Sequence, residues 1–179
     1  MLLTQLLADH PEAIVDIVHH TPLWVGGVLA ALLTLGASAL RPRALPLGRL
    51  LAMPLVMAGL ALWGVQSAFG ASGRLVELLA LWAAGYGAAL ALGAQLRPPA
   101  GTRYDAATRR FQLPGSGVPM LLILAVFLMK YGVGVQLAME PRLALDAGFA
   151  FAVTALYGLL SGLFAARGLR VLRLARQTV

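Results

Sequence analysis

Five long apolar stretches, separated by short polar segments, dominate the pattern of this chain. A helix of about 20 apolar residues crosses the roughly 30 Å hydrocarbon core of a bilayer. The pattern therefore predicts an all-α integral membrane protein of one domain, residues 1–179. The five predicted spans are residues 22–40, 49–70, 75–96, 117–139 and 143–166. The first span is entered through Thr21-Pro22, a helix cap followed by proline at the first helical position.

Composition supports the membrane class. The chain is 60% hydrophobic and 12% charged, whereas soluble domains carry about 25% charged residues. It has no cysteine, which excludes disulfides, thiolate metal sites and thiol catalysis.

The arginines predict an orientation, because cytoplasmic connections carry the excess of basic residues. Two arginines fall on one side of a five-span arrangement, Arg74 and Arg142. Those on the other side are Arg41, Arg43, Arg49, Arg97, Arg103, Arg109, Arg110, Arg167, Arg170, Arg173 and Arg176. The sequence therefore predicts an outer N-terminus and an inner C-terminus. Most acids and all three histidines then lie outside.

The connection at residues 101–116 predicts a short cytoplasmic β-hairpin. Two β-prone pieces, residues 102–104 and 110–113, flank Asp105, a residue favoured at the first position of a type I turn. Tyr104 and Phe111 would point toward lipid or the bundle. A flexible basic loop is the alternative.

The first 20 residues predict an amphipathic helix lying on the outer face of the membrane. Its polar face carries Glu12, Asp16, His19 and His20 at spacings of three and four. Acid and imidazole groups on one face are a weak candidate site for a divalent metal. A solvated polar face explains the same pattern.

Lys130 is the most informative single residue, because a charge inside an apolar span is costly and usually faces a bundle interior or a watery cavity. Its ammonium would be hydrated in a cavity open to the outer face, or hydrogen-bonded near the midplane by Tyr86, Thr154 or Tyr157. The candidate ligand-binding residues are Lys130, Gln66, Glu77, Tyr86, Gln136, Asp146 and Tyr157.

Small residues form stripes that let helices approach closely. The third span has Gly85, Ala89 and Gly93 at intervals of four, and the fifth has a GxxxG at Gly158 and Gly162. Packing within the monomer and a homodimer are the two uses we consider.

The basic tail, residues 167–179, would anchor a helix end at anionic lipid headgroups. The arginines for this contact are Arg167, Arg170, Arg173 and Arg176. Lipid is nearer to them than nucleic acid, so we expect no nucleic-acid partner.

No catalytic residue or cofactor is assigned. The chain lacks the GxSxG, HExxH, Walker and Rossmann signatures.

Four segments resemble a family of small uncharacterised proteins of the bacterial inner membrane. They are HTPLWV (residues 20–25), GTRYDAATRRFQLPGS (101–116), KYGVGVQ (130–136) and LYGLLSG (156–162). The span-hairpin-span layout is also similar to CcdC-like membrane proteins linked to cytochrome c biogenesis. The resemblance implies a multi-pass protein of the bacterial inner membrane and transfers no functional residue.

The function expected from the sequence is binding or transport of a small polar or anionic solute through an outward-facing pocket around Lys130. A non-catalytic accessory or scaffold subunit is the second expectation. A membrane-embedded enzyme is the third.

Overall fold

Five α-helices and a three-stranded sheet make up the computed structural model, which describes Val15 and residues 19–177. The helices are α1 (Leu23–Ser38), α2 (Leu47–Phe69), α3 (Leu75–Gln95), α4 (Val118–Met139) and α5 (Ala147–Gln177). Single 3-10 turns, Gly70–Ser72 and Pro141–Leu145, join α2 to α3 and α4 to α5. Most of the predicted outer helix in residues 1–20 lies outside the described residues.

Four helices, α2 to α5, are long and apolar enough to cross a membrane. The chain is thus built as a multi-pass membrane protein. Helix α1 has 16 residues, or about 24 Å at 1.5 Å per residue. That length is less than the roughly 30 Å hydrocarbon core, so a fifth crossing by α1 stays a prediction.

The sheet gathers the connections at one end of the bundle. Its strands are β1 (Arg43–Pro46), β2 (Arg103–Asp105) and β3 (Arg110–Leu113), in the order β1-β3-β2 with antiparallel pairing. Strand β1 was not predicted from the sequence. It joins the connection before α2 to the connection before α4.

Asp105 closes the turn between β2 and β3. Its carboxylate accepts hydrogen bonds from the Thr108 hydroxyl at 2.7 Å and from the Ala107 N–H at 3.0 Å. The Thr108 hydroxyl, followed by the Thr108 N–H, holds the pKa of Asp105 below its ordinary value. This is the local bonding by which Asp favours turns.

The sheet packs against the C-terminal end of α5. Leu45, Phe111, Leu113 and Val171 form one apolar cluster, in which Phe111 and Val171 are each 1% exposed. Tyr104 packs beside it, with its ring centroid 4.9 Å from that of Phe111. Residues 167–177 therefore continue α5 over the sheet.

Helices α3 and α5 approach closely through their small residues. A Cβ added to Gly158 would collide with the Trp82 carbonyl oxygen, and one on Gly162 with the Tyr86 carbonyl oxygen. A Cβ on Gly93 would lie 2.6 Å from that of Ala166. The two stripes face each other within the monomer. The homodimer stays a prediction that would need another surface.

Helix α1 rests on α4. The backbone of Gly36 lies against Met120 near one end, where a Cβ on Gly36 would come within 2.7 Å of the Met120 side chain. Near the other end, the hydroxyls of Thr21 and Tyr131 share a hydrogen bond. Tyr131 precedes the last residue of α4 by eight residues, about 12 Å. Helix α4 thus extends beyond the start of α1.

Candidate ligand groove

A groove of about 870 Å³ runs between α1, α2 and α4. This volume lies within the range of small-molecule sites. The lining residues are His20, Thr21, Pro22, Trp24, Val25 and Val28 from α1 and the residues before it, Leu60 and Trp63 from α2, and Phe127, Lys130, Tyr131, Gly134, Val135, Ala138 and Met139 from α4.

The groove walls are mostly apolar and include large aromatic rings. Trp24 is 69% exposed and Trp63 is 67% exposed. The polar side chains among the lining residues are His20, Thr21, Lys130 and Tyr131. Lys130 is the one Asp, Glu, Lys or Arg side chain among these described lining residues.

Three residues surround the end of the Lys130 side chain. Its ammonium lies 6.0 Å from the ring centroid of Trp63 and 5.6 Å from that of Tyr157. At this range an aromatic ring attracts a cation. Gly64 provides the space, because a Cβ there would lie 2.9 Å from the Lys130 Nζ. The ammonium is thus directed across α2, between two rings.

The ammonium has no carboxylate partner among residues 19–177. Its contacts there are the two rings. Asp146 is occupied elsewhere, because its carboxylate accepts the Phe149 N–H at 2.7 Å and so caps the start of α5. Glu77 is exposed in the first turn of α3. Lys130 therefore brings an uncompensated positive charge to the groove.

The structure brings two of the predicted ligand-binding residues together, Lys130 and Tyr157. Tyr157 is 4% exposed, and among the described residues Lys130 is the one predicted ligand-binding residue that lines the groove. Gln66 is exposed on α2, and Gln136 is 4% exposed within the bundle. Tyr86 stacks on Trp82, with ring centroids 5.1 Å apart, beside the α3–α5 contact.

Thr154 is one of the three predicted hydrogen-bond partners of Lys130. It is 0% exposed, and its hydroxyl has no hydrogen-bond partner in the described structure. Lys130 meets the ring of Tyr157 instead.

Sequence reasoning missed most of the groove. Trp24, Trp63, Phe127 and Tyr131 line it, but in the sequence they look like residues that face lipid. The one available signal was that two of the three tryptophans lie in the first two apolar stretches. Pairing them across a groove requires the tertiary structure.

The predicted metal candidates Glu12 and Asp16 lie outside the described residues. Within the described residues, no group of three His, Cys, Asp or Glu side chains is placed to hold a metal ion. His19 and His20 are exposed.

Comparisons with known proteins place the chain in a family without an assigned activity. No curated protein and no solved structure matches it. Over residues 1–179 the sequence matches a family of unknown function, DUF6622. The chain belongs to that family of unknown function.

Proposed function

We propose that the protein binds an amphipathic anion within the membrane. The apolar body of the ligand lies in the groove between α1, α2 and α4, and its anionic group pairs with Lys130. The observation that carries this proposal is an ammonium without a carboxylate partner in the described structure, held at the wall of an apolar groove.

The charged contact decides which ligand is bound. Lipid tails are as apolar as the groove walls, so burial in the groove gives little driving force over burial in the bilayer. A hydrogen bond to a charged group contributes about 1.5–3 kcal/mol. The walls therefore set the shape of the ligand, and Lys130 selects for negative charge.

An amphiphile fits the groove better than the small polar solute expected from the sequence. Gln66, Glu77 and Asp146 would have supplied a polar pocket, but none of them is among the described lining residues. Ligand binding is the step that the groove supports. Transport, and residence in the bacterial inner membrane, stay predictions from the sequence.

The proposed orientation has the sheet inside and the two 3-10 turns outside. The chain has no cysteine, so a single introduced cysteine is the one site in the protein that a thiol reagent can label. A cysteine at Ala71, in the α2–α3 turn, should react with an impermeant thiol reagent added to intact cells. A cysteine at Ala106, in the β2–β3 turn, should be protected. The reverse pattern would invert the orientation.

Fluorescence quenching by 9,10-dibromostearate tests the binding proposal. Trp24 and Trp63 line the groove, and Trp82 is the third tryptophan. The Trp82 indole N–H has no hydrogen-bond partner in the described structure, so Trp82→Phe should be tolerated and leaves the two groove tryptophans as reporters. The protein is placed in phosphatidylcholine nanodiscs in mildly alkaline buffer, where the fatty acid is ionised.

We expect saturable quenching by the acid, with an affinity at least about tenfold lower in Lys130→Met. The methyl ester of the same acid is the matched ligand control. It should quench weakly and equally with and without Lys130. Equal quenching by acid and ester in both proteins would refute the proposal and favour the accessory-subunit alternative.

A further inference from the structure

A second, smaller cavity lies at the sheet end of the bundle, between β1, the first turn of α2 and the last part of α5. Its volume is about 70 Å³. Three arginines line it, Arg43, Arg49 and Arg167. They come from separate stretches of sequence and are brought together by strand β1 and by the extension of α5.

Arg43 lies within electrostatic range of both other arginines. Burial, followed by repulsion from Arg49, holds the pKa of Arg43 below its ordinary value. Arg167 lies within electrostatic range of both Arg43 and Arg170. No Asp or Glu is among the described lining residues. The guanidinium of Arg43 donates a hydrogen bond to the Ser38 hydroxyl at 3.2 Å, which leaves its charge uncompensated.

One further feature favours an anion here. Helix α2 starts beside the cavity with no side-chain cap, so its first N–H groups add partial positive charge. Three arginines and the uncapped N–H groups of α2 thus face one cavity. A bound anion would neutralise the charges and accept hydrogen bonds from these groups.

We infer that this cavity binds one phosphate-type group, either of an anionic phospholipid headgroup or of free phosphate. Guanidinium groups match phosphate oxygens in geometry as well as in charge. The cavity has room for a group of a few heavy atoms and no room for an acyl chain. The site is separate from the Lys130 groove, which none of its three arginines lines.

Thermal unfolding in a zwitterionic detergent tests the site. Three ligands are titrated: short-chain phosphatidylglycerol, short-chain phosphatidylcholine and inorganic phosphate. The test variant is Arg43→Gln with Arg167→Gln. The matched control, Arg103→Gln with Arg142→Gln, removes the same charge from exposed positions that do not line the cavity.

Phosphatidylglycerol should raise the unfolding temperature of the wild type and of the control with equal affinity. The affinity of the test variant should fall about tenfold or more, since each lost basic contact weakens binding several-fold. Without anion, the test variant should unfold at the wild-type temperature or above, because it loses repulsion. If it does not fold, Arg43→Gln alone should weaken binding about fivefold.

The other ligands identify the source of the phosphate. A shift with inorganic phosphate that is also lost in the test variant assigns the site to free phosphate, and a shift with phosphatidylglycerol alone assigns it to a lipid headgroup. Equal affinity in the test and control variants would overturn the inference, whether both retain binding or both lose it. So would an equal shift with phosphatidylcholine in all three proteins.

Discussion

The two sides of this bundle are packed on opposite principles. On one side, α3 and α5 meet backbone to backbone, with the carbonyl oxygens of Trp82 and Tyr86 lying over Gly158 and Gly162. On the other side, α1, α2 and α4 leave a groove of about 870 Å³ between large exposed rings. On the first side, Gly158 and Gly162 have no room for a Cβ. On the second side, Gly132 and Gly134 have nothing within 4 Å of an added Cβ.

This difference supports the proposed place of ligand binding. A close-packed helix pair tolerates little movement, because any added volume forces the backbones apart. The groove is open, and its only lysine is held by rings rather than by a carboxylate within the described residues. We interpret α3–α5 as the rigid support and the α1–α2–α4 side as the binding side.

The largest expected effect is on the close-packed side. Gly158→Ala puts a methyl group onto the Trp82 carbonyl and should destabilise the fold by about 3 kcal/mol. Gly134→Ala, in the groove, meets nothing within 4 Å. It should be neutral or stabilising, since alanine favours a helix by up to about 1 kcal/mol over glycine. Chemical unfolding in detergent measures both. A similar loss of unfolding free energy in Gly158→Ala and Gly134→Ala would contradict the difference in packing between the α3–α5 side and the groove side.

A moderate effect is expected where α1 is fastened to α4. Tyr131→Phe removes the hydrogen bond between the Tyr131 and Thr21 hydroxyls. Hydrogen bonds between membrane helices average about 0.6 kcal/mol, so the unfolding free energy should fall by about that amount. Hydrogen exchange should rise in α1 and stay unchanged in α3. Equal acceleration in both helices would mean that α1 is not a separately attached element.

The smallest effect on stability is expected at Gly64. Gly64→Ala pushes the Lys130 ammonium, which lies 2.9 Å from the added Cβ position. The lysine end is flexible, so stability should change by less than it does for Tyr131→Phe, while dibromostearate affinity should fall a few-fold. Gly59→Ala on the same helix meets nothing within 4 Å and is the control. An equal loss of affinity in Gly64→Ala and Gly59→Ala would show that the loss does not come from displacing Lys130, and would contradict this prediction.

The sequence predicted the helices better than their arrangement. Four apolar runs became helices long enough to span a membrane, because length and hydropathy are local properties. Strand β1 could not be predicted from the sequence, because Arg43-Ala-Leu-Pro46 is short, contains proline and becomes a strand only by pairing with β3.

One of the residues that line the groove, Lys130, could be singled out from the sequence. Lys130 stood out because a charge in an apolar run is rare. Its neighbours did not, because Trp63 and Gly64 come from another helix and carry no polar signal. The sequence predicts Asp146 as a ligand-binding residue, and in the structure its carboxylate caps α5. A helix cap and a pocket carboxylate look alike until the backbone is known.

The most direct test of the central claim is photolabelling with a stearic acid that carries a diazirine in mid-chain. In wild-type protein, labelled residues should cluster on the groove faces of α1, α2 and α4. In Lys130→Met this cluster should disappear, while the unfolding temperature stays equal or rises because an intramembrane charge is gone. Labelling spread evenly over the lipid-facing residues of α3, such as Val76 and Leu92, and unchanged by Lys130→Met would contradict the account.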